Sequence, residues 1–100
     1  MKHVIAAILL TAAAVPAAGQ SEKETDCRYQ AQVAAAVQQA RLDGVPERDL
    51  ARTIAAGNPG WPDRYNNAIP VLAGEIYKVK KRDLRKVDLG AQWLQMCMSQ

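Results

Sequence analysis

Cys27 and Cys97 are the two cysteines of this 100-residue chain, and they stand near opposite ends of the segment that follows an apolar leader. Each lies in a stretch with helical periodicity, so the fold is constrained at both of its ends. An even number of cysteines in an exported chain points to a disulfide, because disulfides form and persist in that compartment. The alternatives are two buried free thiols or a bond to another chain. Closing a loop of about 70 residues would stabilise the fold by roughly 4 kcal/mol in the chain-entropy treatment. A domain of roughly 80 residues has a marginal core and benefits from such a staple.

The leader is Met1 to about Gln20. Lys2 and His3 make a short cationic start, Val4 to Val15 an apolar run with one threonine, and Pro16-Ala17-Ala18-Gly19 a small-residue region. This is the pattern of a secretory signal peptide. Cleavage after Ala17 or after Gly19 both fit, and the second divides the chain into a signal at 1–19 and one helical domain at 20–100. The run is too short, and broken by Pro16, for a membrane span of about 20 apolar residues.

Four helical segments are expected after it. The first, Asp26 to Gly44, follows a polar lead-in at Ser21–Thr25, although Ser21 and Glu24 have capping-box spacing. Tyr29, Val33, Ala36, Val37 and Ala40 form its apolar stripe, with Arg28, Gln32, Gln39 and Asp43 opposite. Cys27, Ala31 and Ala34 add a flank of small side chains. Gly44 is a suitable stop, and Pro46 opens a short second helix carrying Leu50, Ala51, Ile54 and Ala55. After the turn at Gly57–Pro62, the stripe Tyr65, Ile69, Leu72, Ile76 and Val79 predicts one helix over 62–81, kinked at Pro70; two helices broken near 68–70 are the alternative. Asp83 is the expected N-cap of a last helix reaching Met98, with stripe Leu84, Val87, Ala91, Leu94 and Met98. Gly90, Trp93 and Cys97 lie beside that stripe. Laid antiparallel to the first helix, Cys97 meets Cys27, Trp93 comes level with Ala31 and Gly90 with Ala34. The expected fold is therefore all-α: a small four-helix bundle, within a range of three to five, whose first and last helices are antiparallel and disulfide-linked.

Chemistry is scarce. The one histidine, His3, lies in the leader, which removes histidine-activated nucleophiles and histidine metal sites from the mature domain. There is no CxxC pair and no glycine-rich phosphate cradle. No catalytic, cofactor or metal residue is assigned, and an enzyme is not expected. Lys78, Lys80, Lys81, Arg82, Arg85 and Lys86 form a basic cluster relieved by Asp83. It could engage anionic lipid headgroups, a cell-wall polymer, nucleic acid or an acidic protein, although no aromatics interleave it as nucleic-acid binding would favour. The plainer reading, which is preferred, is a solvated helix end. Trp61, in the Pro/Gly loop, is either an exposed recognition contact or the lid of a small core. Gln30, Gln32, Gln38 and Gln39 read as neutral surface, and Asp43, Glu47 and Asp49 as helix-capping carboxylates.

Cys27, Gln30, Val37, Gln38, Ala40, Arg41, Gly44 and Val45, then Ala68 to Pro70, Ile76-Tyr77, Arg82 to Leu84 and Cys97, make a pattern that resembles small exported bacterial proteins with two flanking cysteines. The resemblance covers most of the mature chain and implies a helical domain, with no catalytic residue to carry over. In size, helicity and single disulfide the chain is also similar to periplasmic acid-activated chaperones, from which its wide cysteine spacing departs. The expected role is a non-enzymatic, periplasmic or secreted module that binds a protein or an anionic envelope component. The alternative is a holdase-like chaperone, whose acid trigger would have to be carboxylate protonation near pH 4. No nucleic-acid partner, no cofactor and no membrane span after cleavage are expected.

Overall fold

The computed structural model describes residues 17–100, with side chains from Ser21 onward. Apart from Ala17–Gly19, which open the first helix, the expected signal segment lies outside the described residues. Their regular structure is all helical: α1 Ala17–Leu42, α2 Leu50–Ala56, α3 Ala68–Ile76, α4 Lys81–Leu84 and α5 Leu89–Met98. Two 3-10 turns, Glu47–Asp49 and Asp63–Asn67, lead into α2 and α3. α1 is the axis of the bundle, with α5 and α3 packed along it and α2 and α4 against it. No helix among the described residues is long and apolar enough to cross a membrane.

Ser21–Thr25 is part of α1, and not a frayed lead-in. The pair Glu24–Arg28 and the Gln30–Asp26 hydrogen bond of 2.8 Å run at i,i+4 along this part of the helix, the spacing at which helical side chains meet. At the other end Gly44 takes φ +85°. Gly44 N–H then reaches Arg41 O at 3.1 Å and Val45 N–H reaches Ala40 O at 3.0 Å, a Schellman closure that satisfies two of the carbonyls of the last turn. The expected stripe is the buried one: Val33, Val37 and Ala40 are in the core, with Tyr29 and Ala36 packed against it. Fully burying side chains such as Leu50, Leu84, Val33 and Val37 contributes about 1.5–3 kcal/mol each.

The third segment differs from the expected single helix over 62–81. The chain runs in 3-10 form through Asn67 and α3 starts at Ala68, which puts Pro70 in the first turn of α3. There its missing N–H has no intrahelical partner to lose, so the helix begins around the proline and needs no kink. Tyr65, Ile69, Leu72 and Ile76 are buried as expected, but α3 ends at Ile76 and Val79 is exposed in the following turn.

The last segment departs further. Asp83 lies inside the one-turn α4 and caps nothing; Asp88 is the N-cap of α5, its carboxylate accepting from Ala91 N–H at 3.0 Å. The helix therefore starts at Leu89, and the expected stripe does not hold as one face. Leu84 is buried on α4, whereas Val87, Ala91 and Met98 are exposed. The face turned to α1 is the flank of Gly90, Trp93 and Cys97, with Leu89, which the expected pattern did not include, packed against the core beside it. Gly90 sits so close that a Cβ there would lie 3.2 Å from Ala31 O and from Ala35 Cβ. The small-residue flank of α1 thus admits α5, at a level near the expected one. Cys27 and Cys97 are joined by a disulfide with Cα atoms 5.6 Å apart, and α1 and α5 are antiparallel.

Candidate functional site

α3 runs alongside α1 and α5 runs back, so the Ile76 end of α3, the Leu89 end of α5 and the Arg41 end of α1 gather at one pole of the bundle. The segment joining α3 to α5 carries the whole basic cluster. Lys78, Lys80, Arg82, Arg85 and Lys86 are exposed and Lys81 is half-buried. Two carboxylates pair with them among the described residues: Glu75 with Lys78 at 3.4 Å and Asp83 with Arg82 at 3.9 Å. Such exposed pairs contribute little, and with Asp88 also on this segment, residues 75–88 carry six cations against three carboxylates, a net positive turn.

What holds this segment in place was not visible as chemistry in the sequence. Gln38 is 9 % exposed and is the buried polar side chain of the described core. Its Nε2 donates to Leu84 O at 2.8 Å and Val87 O at 3.0 Å, and its Oε1 accepts from Leu89 N–H at 3.2 Å. One amide therefore ties both sides of the α4–α5 turn to α1. Arg41, in the last turn of α1, lays its guanidinium 5.4 Å from the Tyr77 ring centre and donates to Val79 O at 3.2 Å. Tyr77 donates its hydroxyl to Val45 O at 2.7 Å. Burial raises the Tyr77 phenol above its ordinary pKa, with Glu47 adding to and Arg41 opposing the shift.

A second polar chain crosses the opposite pole, beside the disulfide. Tyr65 donates to Asp26 Oδ1 at 2.5 Å, Gln30 Nε2 donates to Asp26 Oδ2, and Trp93 Nε1 donates to Gln30 Oε1 at 3.0 Å. The Asp26 hydrogen bond, then burial, raises the Tyr65 phenol, and the Arg64 guanidinium 4.7 Å from its ring works against that.

The neutral-surface reading is thus corrected for Gln30 and Gln38, both of which bridge elements; Gln32 and Gln39 are exposed. A signal existed: Gln38 follows Cys27, Ala31 and Ala34 at i+11, on the same small-residue flank. The capping reading of the corner carboxylates is also corrected, since no side-chain cap forms at the 47–49 turn or at α2. Asp43 instead accepts from Gln39 and Asp49 from Arg52. Trp61 is 8 % exposed in the core, with its indole N–H on Asn66 Oδ1 at 2.7 Å, so it is a lid of the core and not an open contact. Among the described residues no group of three or more His, Cys, Asp or Glu could hold a metal ion. No family model, curated protein or solved structure matches the chain.

Proposed function

We propose that this protein is a non-enzymatic module of the periplasm or extracellular space that attaches to anionic lipid headgroups of the envelope through the 78–86 turn. The observation that carries the reading is the set of six cations on one clamped, exposed turn, with Glu75 and Asp83 as their carboxylate partners among the described residues. A turn fixed by Gln38 and Arg41 loses little freedom on docking, so its charges act together. The Cys27–Cys97 bond supports export, because such bonds persist in oxidising compartments.

Co-sedimentation of the oxidised protein with vesicles containing phosphatidylglycerol tests it. Each cation near an anionic surface contributes about 1 kcal/mol, so the K80A/K81A/R82A variant is expected to bind roughly a hundredfold more weakly. Raising the salt should release the parent protein. Equal binding to neutral vesicles, or indifference to the triple substitution, refutes the reading. The holdase alternative predicts suppression of client aggregation at pH 3 or 7, and the module reading predicts none at either.

A further inference from the structure

The cationic turn also carries two exposed large apolar side chains, Val79 at 36 % and Val87 at 40 %. Val79 lies between Lys78 and Lys80 where the chain enters α4, and Val87 follows Lys86 where it leaves. Leu84, between them, is buried in the core, so the turn sends one apolar side chain inward and leaves two outside. At both valines the backbone is already satisfied within the protein. Val79 N–H donates to Ile76 O at 3.1 Å, and its carbonyl accepts from Arg41 at 3.2 Å. Val87 N–H donates to Leu84 O at 3.4 Å, and its carbonyl accepts from Gln38 Nε2 at 3.0 Å. Gln38 and Arg41 are three residues apart on α1 and therefore neighbours on its surface, which draws the two valine backbones to one strip of that helix. A turn exposed to water has no need of this, because water serves its peptide groups. A turn entering an apolar phase does, since an unsatisfied N–H or C=O is heavily penalised there.

We infer that Val79 and Val87 enter the acyl boundary of an anionic bilayer, one on each side of α4, while the lysine and arginine heads stay at the phosphates. The charge has the complementary sign. Six cations surround the two valines, against Asp83 on the turn and Glu75 and Asp88 at its two roots. Glu75 is paired with Lys78, and Asp88 caps α5 through Ala91 N–H. Long lysine and arginine stems suit the arrangement, because they lie along apolar surface and keep the charge at headgroup level. The inference rests on the turn docking to lipid and adds an apolar, salt-resistant component to it, since interfacial binding grows with buried apolar area as well as with charge. It commits the turn to a lipid surface: a soluble polyanion matches the cations but offers the valines nothing.

The test sets V79N/V87N beside K80A/K81A/R82A in the oxidised protein. Phosphatidylglycerol vesicles are titrated at low and at high salt, the latter screening exposed charges, and retention on heparin reads charge alone. Asparagine is at home in turns, and the exchange changes no charge. V79N/V87N should bind vesicles roughly tenfold more weakly, through loss of apolar burial, and should keep the parent's heparin retention. The triple substitution should lose both. Binding that the parent retains at high salt should vanish in V79N/V87N. A second measurement does not depend on weakened binding. Tryptophan introduced by V79W or V87W should be quenched by phosphatidylglycerol brominated on its acyl chains, above the background of Trp61 and Trp93. V71W, at the 71 % exposed valine of α3, should not be quenched. A parent that binds these vesicles while V79N/V87N binds equally well, or while V79W and V87W stay unquenched, refutes insertion and leaves docking by charge standing. An equal loss on heparin and on vesicles also refutes it, because the valines then only hold the turn. A parent that does not bind the vesicles overturns the docking reading, and insertion with it.

Discussion

Gln38 offers the sharpest test of how the basic turn is held. Its amide makes three hydrogen bonds, to Leu84 O, Val87 O and Leu89 N–H. Each is worth about 0.5–1.5 kcal/mol net, and a buried group left without its partner costs about 1–3 kcal/mol. Leu84 is fully buried, so its carbonyl has no route to water, whereas the exposed Val87 can be rehydrated. Gln38→Leu keeps most of the buried volume and removes all three bonds, and should cost about 2–3 kcal/mol. Gln38→Ala adds a cavity and should cost about 3–4 kcal/mol. Against a typical total of about 5–15 kcal/mol, either loss is large.

Gln38→Glu separates hydrogen bonding from packing. At pH 7 the introduced carboxylate faces two carbonyl oxygens and can donate to neither, so its loss should exceed that of Gln38→Leu. Protonation restores one donor. The carboxyl therefore titrates higher in the folded than in the unfolded state, where its pKa is about 4.3. Stability is then better preserved below pH 4 and falls as pH rises through the folded value. Urea unfolding at pH 3.5 and 7 reads this directly, relative to the parent at each pH. A Gln38→Leu protein within 0.5 kcal/mol of the parent, or a Gln38→Glu penalty indifferent to pH, would refute the clasp.

Two further outcomes concern the disulfide and the two raised tyrosines, Tyr65 at the disulfide pole and Tyr77 at the basic one. Replacing Cys27 and Cys97 with Ser removes a link across a sequence separation of 70, and should lower stability by about 4 kcal/mol in the chain-entropy treatment. Intact mass with alkylation checks the bond: two thiols should be labelled after reduction and none before. At alkaline pH both raised tyrosines, Tyr65 and Tyr77, make the unfolded chain lose its phenol protons first. Their contribution is whole below pH 10 and declines as pH rises from there through the folded values. Tyr65→Phe should flatten the decline seen in urea unfolding between pH 9 and 11, and an unchanged slope would count against the Asp26 contact as its cause.

The frame was legible where side-chain size and period agree. Val33, Val37, Ile69, Leu72 and Ile76 announce buried faces by spacing, and Cys27 with Cys97 fixes which helix ends meet. The all-helical bundle with antiparallel, bridged first and last helices follows from those residues, and it is the fold observed. Boundaries were less legible. An i,i+4 stripe cannot distinguish one helix from a 3-10 turn followed by a helix in phase, so the expected kinked helix over 62–81 missed the start of α3 at Ala68, to which the alternative break near 68–70 comes close. In the last segment two aspartates, Asp83 and Asp88, could each cap a helix. The choice between them depends on Leu84 entering the core on its own turn, which no local pattern encodes.

The polar residues were the least legible part, and they bear most on function. Gln30 and Gln38 both lie on the small-residue side of α1 that faces α5, two turns apart. A small-residue flank lets backbones approach closely, and that closeness brings the α4–α5 turn and the Trp93 indole within reach of an amide. The same alanines that read as scaffold thus create the need for glutamine: once α5 is this near, the buried carbonyl of Leu84 requires a donor. One clasp joins Asp26, Tyr65 and Trp93 at the disulfide pole, and the other fixes the cationic turn at the far pole. The Cys27–Cys97 bond joins α1 to α5 at the first of these poles. Loosening the Gln38 clasp should therefore weaken binding at the basic turn without removing a single positive charge, whereas cutting the disulfide should act on stability first.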